Sequence, residues 1–238
     1  MGNENGVWIM HGLPWDDPGC IRSAKELTDY INEVGFLPLF KNGIPGFSVE
    51  EHTAPEYWWS GEVARDPWEW RGIIAAQGDI AYGKFFDKKA GFISKDWLPV
   101  FANARRNGYD FDSRWEEGLA PVREKRVMDT VSAEGEIFSN ELRLRAGFSK
   151  GGEKNFEGVM TALQMQTYLC VREFRQRLNK KGAPYGWALA VYCAPERIWG
   201  YEHVTGAYAE TPSLSRDRIV ERVRKLYPDA PEKELKML

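Results

Sequence analysis

The chain is poor in the residues that most often carry metal or redox chemistry. It has three cysteines and three histidines in 238 residues. Cys20, Cys170 and Cys193 are too few and too scattered for a disulfide framework or a zinc knuckle, which points to a reducing, cytoplasmic setting. His11, His52 and His203 have no ligand spacing to cysteines or carboxylates, so no metal is expected. No apolar run approaches the roughly 18 residues that span a bilayer, and no membrane partner is expected. The N-terminus has no basic-then-apolar-then-small leader pattern. Gly147–Lys154 is glycine-rich but has no Gly-Lys-Ser/Thr ending, so it reads as a turn rather than a phosphate loop. A dinucleotide fingerprint and a nucleophile elbow are both missing, and with them any support for a cofactor.

Aromatic residues, by contrast, are abundant. They make up 13% of the chain, with ten tryptophans, and hydrophobic residues make up 43%, enough for a substantial core. The formal net charge is −3, which argues against a protein that coats nucleic acid. The distribution is uneven. Between Phe138 and Pro184 stand nine basic residues (Arg143, Arg145, Lys150, Lys154, Arg172, Arg175, Arg177, Lys180, Lys181) and four glutamates, about +5, which leaves about −8 for the rest. A basic island on an acidic body is the electrostatic mark of a polyanion partner. A solvated helix face with a charged hairpin tip would give the same count.

Periodicity and turn chemistry divide the chain. Residues 1–19 read as an irregular arm. Residues 20–118 read as an α+β region: a Ser23-capped helix through Val34, a short helix Trp68–Ala76 after Pro67, a hairpin of Ile80–Phe86 and Ala90–Ser94 joined by Asp87-Lys88-Lys89, and a helix capped by Ser94 or Asp96 that ends at Arg105 or Arg106. The polar, glycine-containing stretch 107–118 is the expected elbow. Residues 119–200 read as helix, helix, turn, helix and then a two-stranded ribbon, with the third helix from about Glu153 to Gln164 and the strands at Tyr168–Phe174 and Trp187–Tyr192. That order predicts an α+β fold built from winged-helix units, each a helix-turn-helix plus a β-hairpin wing, packed together. Residues 201–238 add two helices, Ser213–Leu226 and Pro231–Leu238. In such a unit the start of the third helix meets DNA, so Lys150, Lys154 and Asn155 are candidate contacts. Arg172, Arg175, Arg177, Lys180 and Lys181 on the ribbon would meet phosphates. A winged helix can equally be a non-catalytic regulator or a protein-interaction module, and the acidic remainder suits that alternative.

Three passages resemble a known family. They are Tyr82-Gly83-Lys84-Phe85-Phe86 through Lys89-Ala90-Gly91-Phe92-Ile93-Ser94 to Leu98-Pro99; Asn155–Leu169 with Tyr185-Gly186-Trp187 and Tyr192 to Arg197; and the tripeptide Gln164-Met165-Gln166. Together they are similar to AlkZ/YcaQ-type DNA glycosylases, bacterial repair enzymes of tandem winged helices that remove alkylated or crosslinked bases. The resemblance implies DNA as partner and hydrolysis of an N-glycosidic bond, with Gln164 and Gln166 as catalytic amides orienting water. A flipped base would need aromatic faces, for which Trp58, Trp59, Trp68 and Trp70 are candidates, and the carboxylates Glu50, Glu51 and Glu56 lie beside them in sequence. This chain is shorter than the full-length enzymes, and its tripeptide falls in its last third, whereas theirs lies near the start.

Overall fold

The computed structural model describes residues 2–4, 7–236 and 238, with backbone alone at 2–4, 7 and 8. A short antiparallel pair, β1 (Gly2–Glu4) and β2 (Val7–Ile9), precedes the first helix. Helix α1 (Ala24–Val34) starts where the Ser23 side chain accepts the Glu26 N–H, and it buries Leu27, Ile31 and Val34 at i, i+4 and i+7. Strand β3 (Phe36–Pro38) follows. Helix α2 (Pro67–Gln77) opens on the fully buried Asp66, whose carboxylate accepts the N–H groups of Trp59, Gly61 and Trp68.

The predicted hairpin is present as β4 (Ile80–Phe86) and β5 (Lys89–Ser94). Its link is tighter than expected. Asp87 and Lys88 both take positive φ, +44° and +62°, as a two-residue type I′ connection demands, and Lys89 joins the strand. Helix α3 (Leu98–Arg106) begins after Trp97 with no side-chain cap, although Ser94 and Asp96 are near. Inside the expected elbow lies a six-residue helix, α4 (Phe111–Glu116), capped by Asp110.

Helix α5 (Val122–Glu134), strand β6 (Ile137–Phe138), helix α6 (Ser139–Arg145) and helix α7 (Phe156–Met165) come next. The last of these starts later than periodicity suggests, because Asn155 sits in the left-handed region at φ +65°. Strands β7 (Cys170–Leu178) and β8 (Pro184–Cys193) form a ribbon longer than its apolar runs alone indicate. The chain closes with α8 (Pro195–Trp199), α9 (Tyr201–Val204), α10 (Pro212–Leu226) and α11 (Glu232–Leu235). No described helix is long and apolar enough to cross a membrane.

The fold is mixed α/β, organised by one antiparallel six-stranded sheet in the order β3-β5-β4-β7-β8-β6. Two buried clusters flank its length. The larger holds Leu27, Phe36, Trp70, Phe85, Phe92 and Phe101, with Ile219 and Val223 of α10 packed on it. The smaller gathers Val127, Val131, Leu142, Phe156, Leu163 and Tyr168 around α5, α6 and α7. The larger cluster continues across the sheet onto β7 and β8 through Cys170, Val171 and Cys193, and where β4 meets β7 the register is a single pair, Tyr82 opposite Val171.

Arg106 ties the clusters together from the end of α3. Its side chain is fully buried, and it donates to Glu196 Oε1 at 2.5 Å, to the Thr167 carbonyl at 2.6 Å and to the Thr167 hydroxyl at 3.2 Å. Its guanidinium also lies 4.5 Å from the Tyr168 ring centroid. Thr167 needs this support. It is a β-branched residue at φ +61°, a conformation that costs about 1–2 kcal/mol.

Candidate functional site

Helix α7 carries Gln164 at its C-terminal end, and the side chain is 1% exposed. Its Nε2 donates to the Met160 carbonyl at 2.9 Å, and its Oε1 accepts the Lys84 N–H at 3.1 Å. The second bond has a structural cause. Register in the β4–β5 ladder shifts between Gly83 and Phe86, and the Lys84 N–H turns to Gln164. Gly83 allows the approach, since a Cβ there would stand 2.9 Å from the Phe85 ring and 3.3 Å from Gln164 Oε1. Gln166 is half-buried and its Nε2 donates to the Ala162 carbonyl at 3.1 Å. The two amides therefore part company: Gln164 lines a cleft, and Gln166 does not.

That cleft has a volume of about 400 Å³ and lies where β4, α2 and the base of the β7–β8 ribbon meet. Its aromatic walls are Phe40, Trp68, Tyr82, Phe174 and Tyr192; its cations are Arg71, Lys84, Lys88 and Lys89. No carboxylate is among the lining residues. Arg71 is sandwiched, with Cζ 3.7 Å from the Trp68 ring centroid and 4.2 Å from that of Phe174. Its Nε is buried without a hydrogen-bond partner among the described residues. Burial lowers the Arg71 pKa, with Tyr82, Glu69 and Asp66 opposing.

Burial also pushes Tyr192 up to about 12, the charge of Glu157 adds to this, and the Gln164 amide works against it. Tyr82 is raised too, by burial above all. Both phenols are neutral donors at neutral pH. The cleft therefore offers π faces, fixed cations, hydroxyl donors and one amide, a set that suits a planar heterocycle attached to an anionic group.

The four candidate tryptophans separate. Trp58 and Trp70 are core residues, 5% and 1% exposed, with their indole N–H groups bonded to Thr53 Oγ1 and the Val63 carbonyl. Trp59 is 46% exposed, and its ring lies 5.6 Å from Trp58 and 6.2 Å from Trp68. Trp68 alone of the four lines the cleft. Two of the three nearby carboxylates are structural anchors. Glu50 accepts the N–H groups of His11 and Lys41, Glu51 holds Gly46 and Ser48, and neither they nor Glu56 reach the cleft.

Of the nine island cations, three face acids. Arg145 pairs with Glu134, and Arg175 with Glu173 and Glu136. Arg172 lies 3.6 Å from Glu136 and donates to the Ala75 and Ala76 carbonyls at the end of α2. The other six have no ion pair among the described residues, and they fall into two groups. Arg143, Lys150 and Lys154 line a hollow of about 510 Å³ with Asn155, before α7. Arg177, Lys180 and Lys181 stand towards the tip of the ribbon. The cleft cations Arg71, Lys84, Lys88 and Lys89 were outside the island. In sequence Lys88 and Lys89 are marked by the charged hairpin link and Lys84 by a passage that resembles the family, while nothing marks Arg71.

The sequence model of the family described as "AlkZ related" matches residues 21–238. No match is found among curated protein sequences. Among solved structures, the DNA glycosylase AlkZ of Streptomyces sahachiroi is similar, with a TM-score of 0.42 and 12% sequence identity, over 92% of this chain and 59% of that one. The chain thus spans 59% of the length of that enzyme.

Proposed function

The chain belongs to the AlkZ-related family, and from that premise we propose that it binds DNA and excises modified bases, the N-glycosidic chemistry of a repair glycosylase. The observation that carries this reading is the carboxylate-free, aromatic-walled cleft with Gln164 in its wall and four cations around it. A flipped nucleotide fits its chemistry. Arg71 already fills the space between the Trp68 and Phe174 rings, so the base would lie against the aromatic wall of Phe40, Tyr82 and Tyr192, and the flanking phosphates would take Lys84, Lys88 and Lys89. In this reading α5, β6, α6, α7 and the β7–β8 ribbon form a winged-helix unit within residues 119–200. Lys150, Lys154 and Asn155 lead the recognition helix, Arg177, Lys180 and Lys181 act on the wing, and Gln164, the one of the two amides in the cleft wall, orients the attacking water.

Binding to a fluorescein-labelled duplex across a salt series tests the first half. Affinity should fall steeply with salt, and exchanging Lys180 and Lys181 for Glu should weaken it and reduce the log–log slope by about 2. Undetectable binding at low salt refutes the reading. Release of an alkylated purine, lost in Gln164→Ala, tests the second half.

A second reading is DNA binding without excision. It is favoured by the two bonds already held by the Gln164 amide and by the Gln166 bond to Ala162. An intact alkylated substrate together with tight duplex binding would select it.

A further inference from the structure

Trp187 is 90% exposed, an unusual state for the largest apolar side chain. The sheet holds it there. Arg175 pairs with Leu189 and Arg177 with Tyr185, so Gln176 alone faces Gly186, Trp187 and Ala188. The ribbon bulges at this point. Gly186 takes φ +71°, which favours glycine, and the Gln176 side chain donates to the Gly186 carbonyl at 2.9 Å, pinning the bulge. The indole is therefore displayed by a defined backbone device.

Its surroundings are mostly cationic. From Phe174 to Pro195 the chain has no Asp or Glu and four cations; Arg175 pairs back with Glu173 and Glu136, while Arg177, Lys180 and Lys181 have no ion pair among the described residues. Arg177 lies 4.9 Å over the Tyr185 ring, next to the bulge. An exposed aromatic face beside unpaired cations matches a nucleic-acid strand with an available base, in which the base stacks and the phosphates are neutralised. Trp187 stands opposite Gln176, two residues beyond the cleft-lining Phe174, so it lies roughly 7 Å further along the ribbon at ~3.3 Å per residue. That is about two nucleotide steps at ~3.4 Å each.

We propose that Trp187 is a base-stacking residue that gives this protein a preference for DNA carrying an unpaired nucleotide over intact duplex. The inference rests on the DNA reading above and deepens it: the ribbon cations hold any strand, and the indole selects a disrupted one.

The test uses the full chain and two fluorescein-labelled duplexes of the same sequence, one intact and one with a single bulged nucleotide, read by anisotropy. Wild type should bind the bulged duplex more tightly. Trp187→Ala should weaken bulge binding about five- to a hundred-fold, the range of one base–aromatic stack, and leave the intact duplex within twofold. Trp187→Phe should keep most of the preference. Exchanging Lys180 and Lys181 for Glu should weaken both duplexes alike. Because the indole is in solvent, the melting temperature should not move. The proposal is overturned if Trp187→Ala weakens both duplexes equally, leaves bulge binding unchanged, or instead abolishes a dimer in sedimentation velocity. Wild type that binds neither duplex at low salt overturns the DNA reading itself.

Discussion

Removing the Glu196 carboxylate strands a charge in the middle of the molecule. Arg106 has a side-chain exposure of zero, and Glu196 is the only acid in a salt bridge with it among the described residues. Deleting one member of a buried pair costs about 3–5 kcal/mol, because the survivor stays charged and unpaired. Glu196 keeps 24% exposure, so water can reach the vacated site and the lower end applies, about 3 kcal/mol for Glu196→Ala. For a chain of this length that corresponds to a fall in melting temperature of about 6–12 °C. Urea unfolding followed by far-UV circular dichroism measures it. The double variant Arg106→Met with Glu196→Leu, which removes both charges and keeps volume, should recover at least about 1.5 kcal/mol of the summed single costs. A single cost below about 1 kcal/mol, or strictly additive costs, would refute the reasoning. The pair also has a functional readout. Arg106 holds Thr167, three residues after Gln164, so its loss should weaken cleft binding at temperatures where the protein remains folded.

Other expectations follow from local contacts. Gln164→Ala leaves the Lys84 N–H without its acceptor and should cost about 1–3 kcal/mol in urea unfolding, while Gln166→Ala, whose bond runs to its own helix, should cost under about 1 kcal/mol. Arg71→Ala removes the sandwiched cation, and its effect should appear as a loss of nucleotide binding with the salt slope of duplex binding nearly unchanged. Burial tends to raise the Asp110 carboxyl, but the Ser113 backbone and hydroxyl, the Tyr201 hydroxyl and Arg106 outweigh it and hold it below its ordinary 3.8. A depressed carboxyl stabilises the fold above pH 3.8, and that contribution is lost as pH falls through the lowered value. Asp110→Ala should therefore cost about 1 kcal/mol at pH 7, as the loss of a helix cap does, and the gap to wild type should narrow by pH 2.5.

Elements set by neighbours in sequence were legible, and those set by distant contacts were not. Ser23 and Gly35 bracket α1, and Asp87-Lys88-Lys89 links two apolar and aromatic runs, so both features could be read directly. Helix α4 escaped because six residues between glycines carry too little periodicity, although Asp110 was a readable cap. Strand β6 escaped because two residues have no pattern at all, and only pairing with β8 makes them a strand. The cleft was beyond reach for a related reason. Phe40, Arg71, Lys84, Gln164 and Tyr192 come from five separate stretches, and only the folded sheet brings them together. The charge count shows a subtler loss. Glu134 and Glu136 lie just outside the basic window, yet they face Arg145, Arg172 and Arg175 within it, so part of the apparent surplus is neutralised across the boundary.

The lone residue pair between β4 and β7 makes backbone hydrogen bonding a thin stitch between the β3-β5-β4 and β7-β8-β6 halves of the sheet. Alignment therefore depends on side chains reaching across: Gln164 to Lys84, Arg172 to the tail of α2, Arg106 to Thr167 and Glu196. A lineage could lose any one of these and still produce a protein that melts cooperatively and looks native by its spectrum. What it would forfeit is the common orientation of the ribbon and the cleft, so folding assays and ligand assays on such variants should give different rankings.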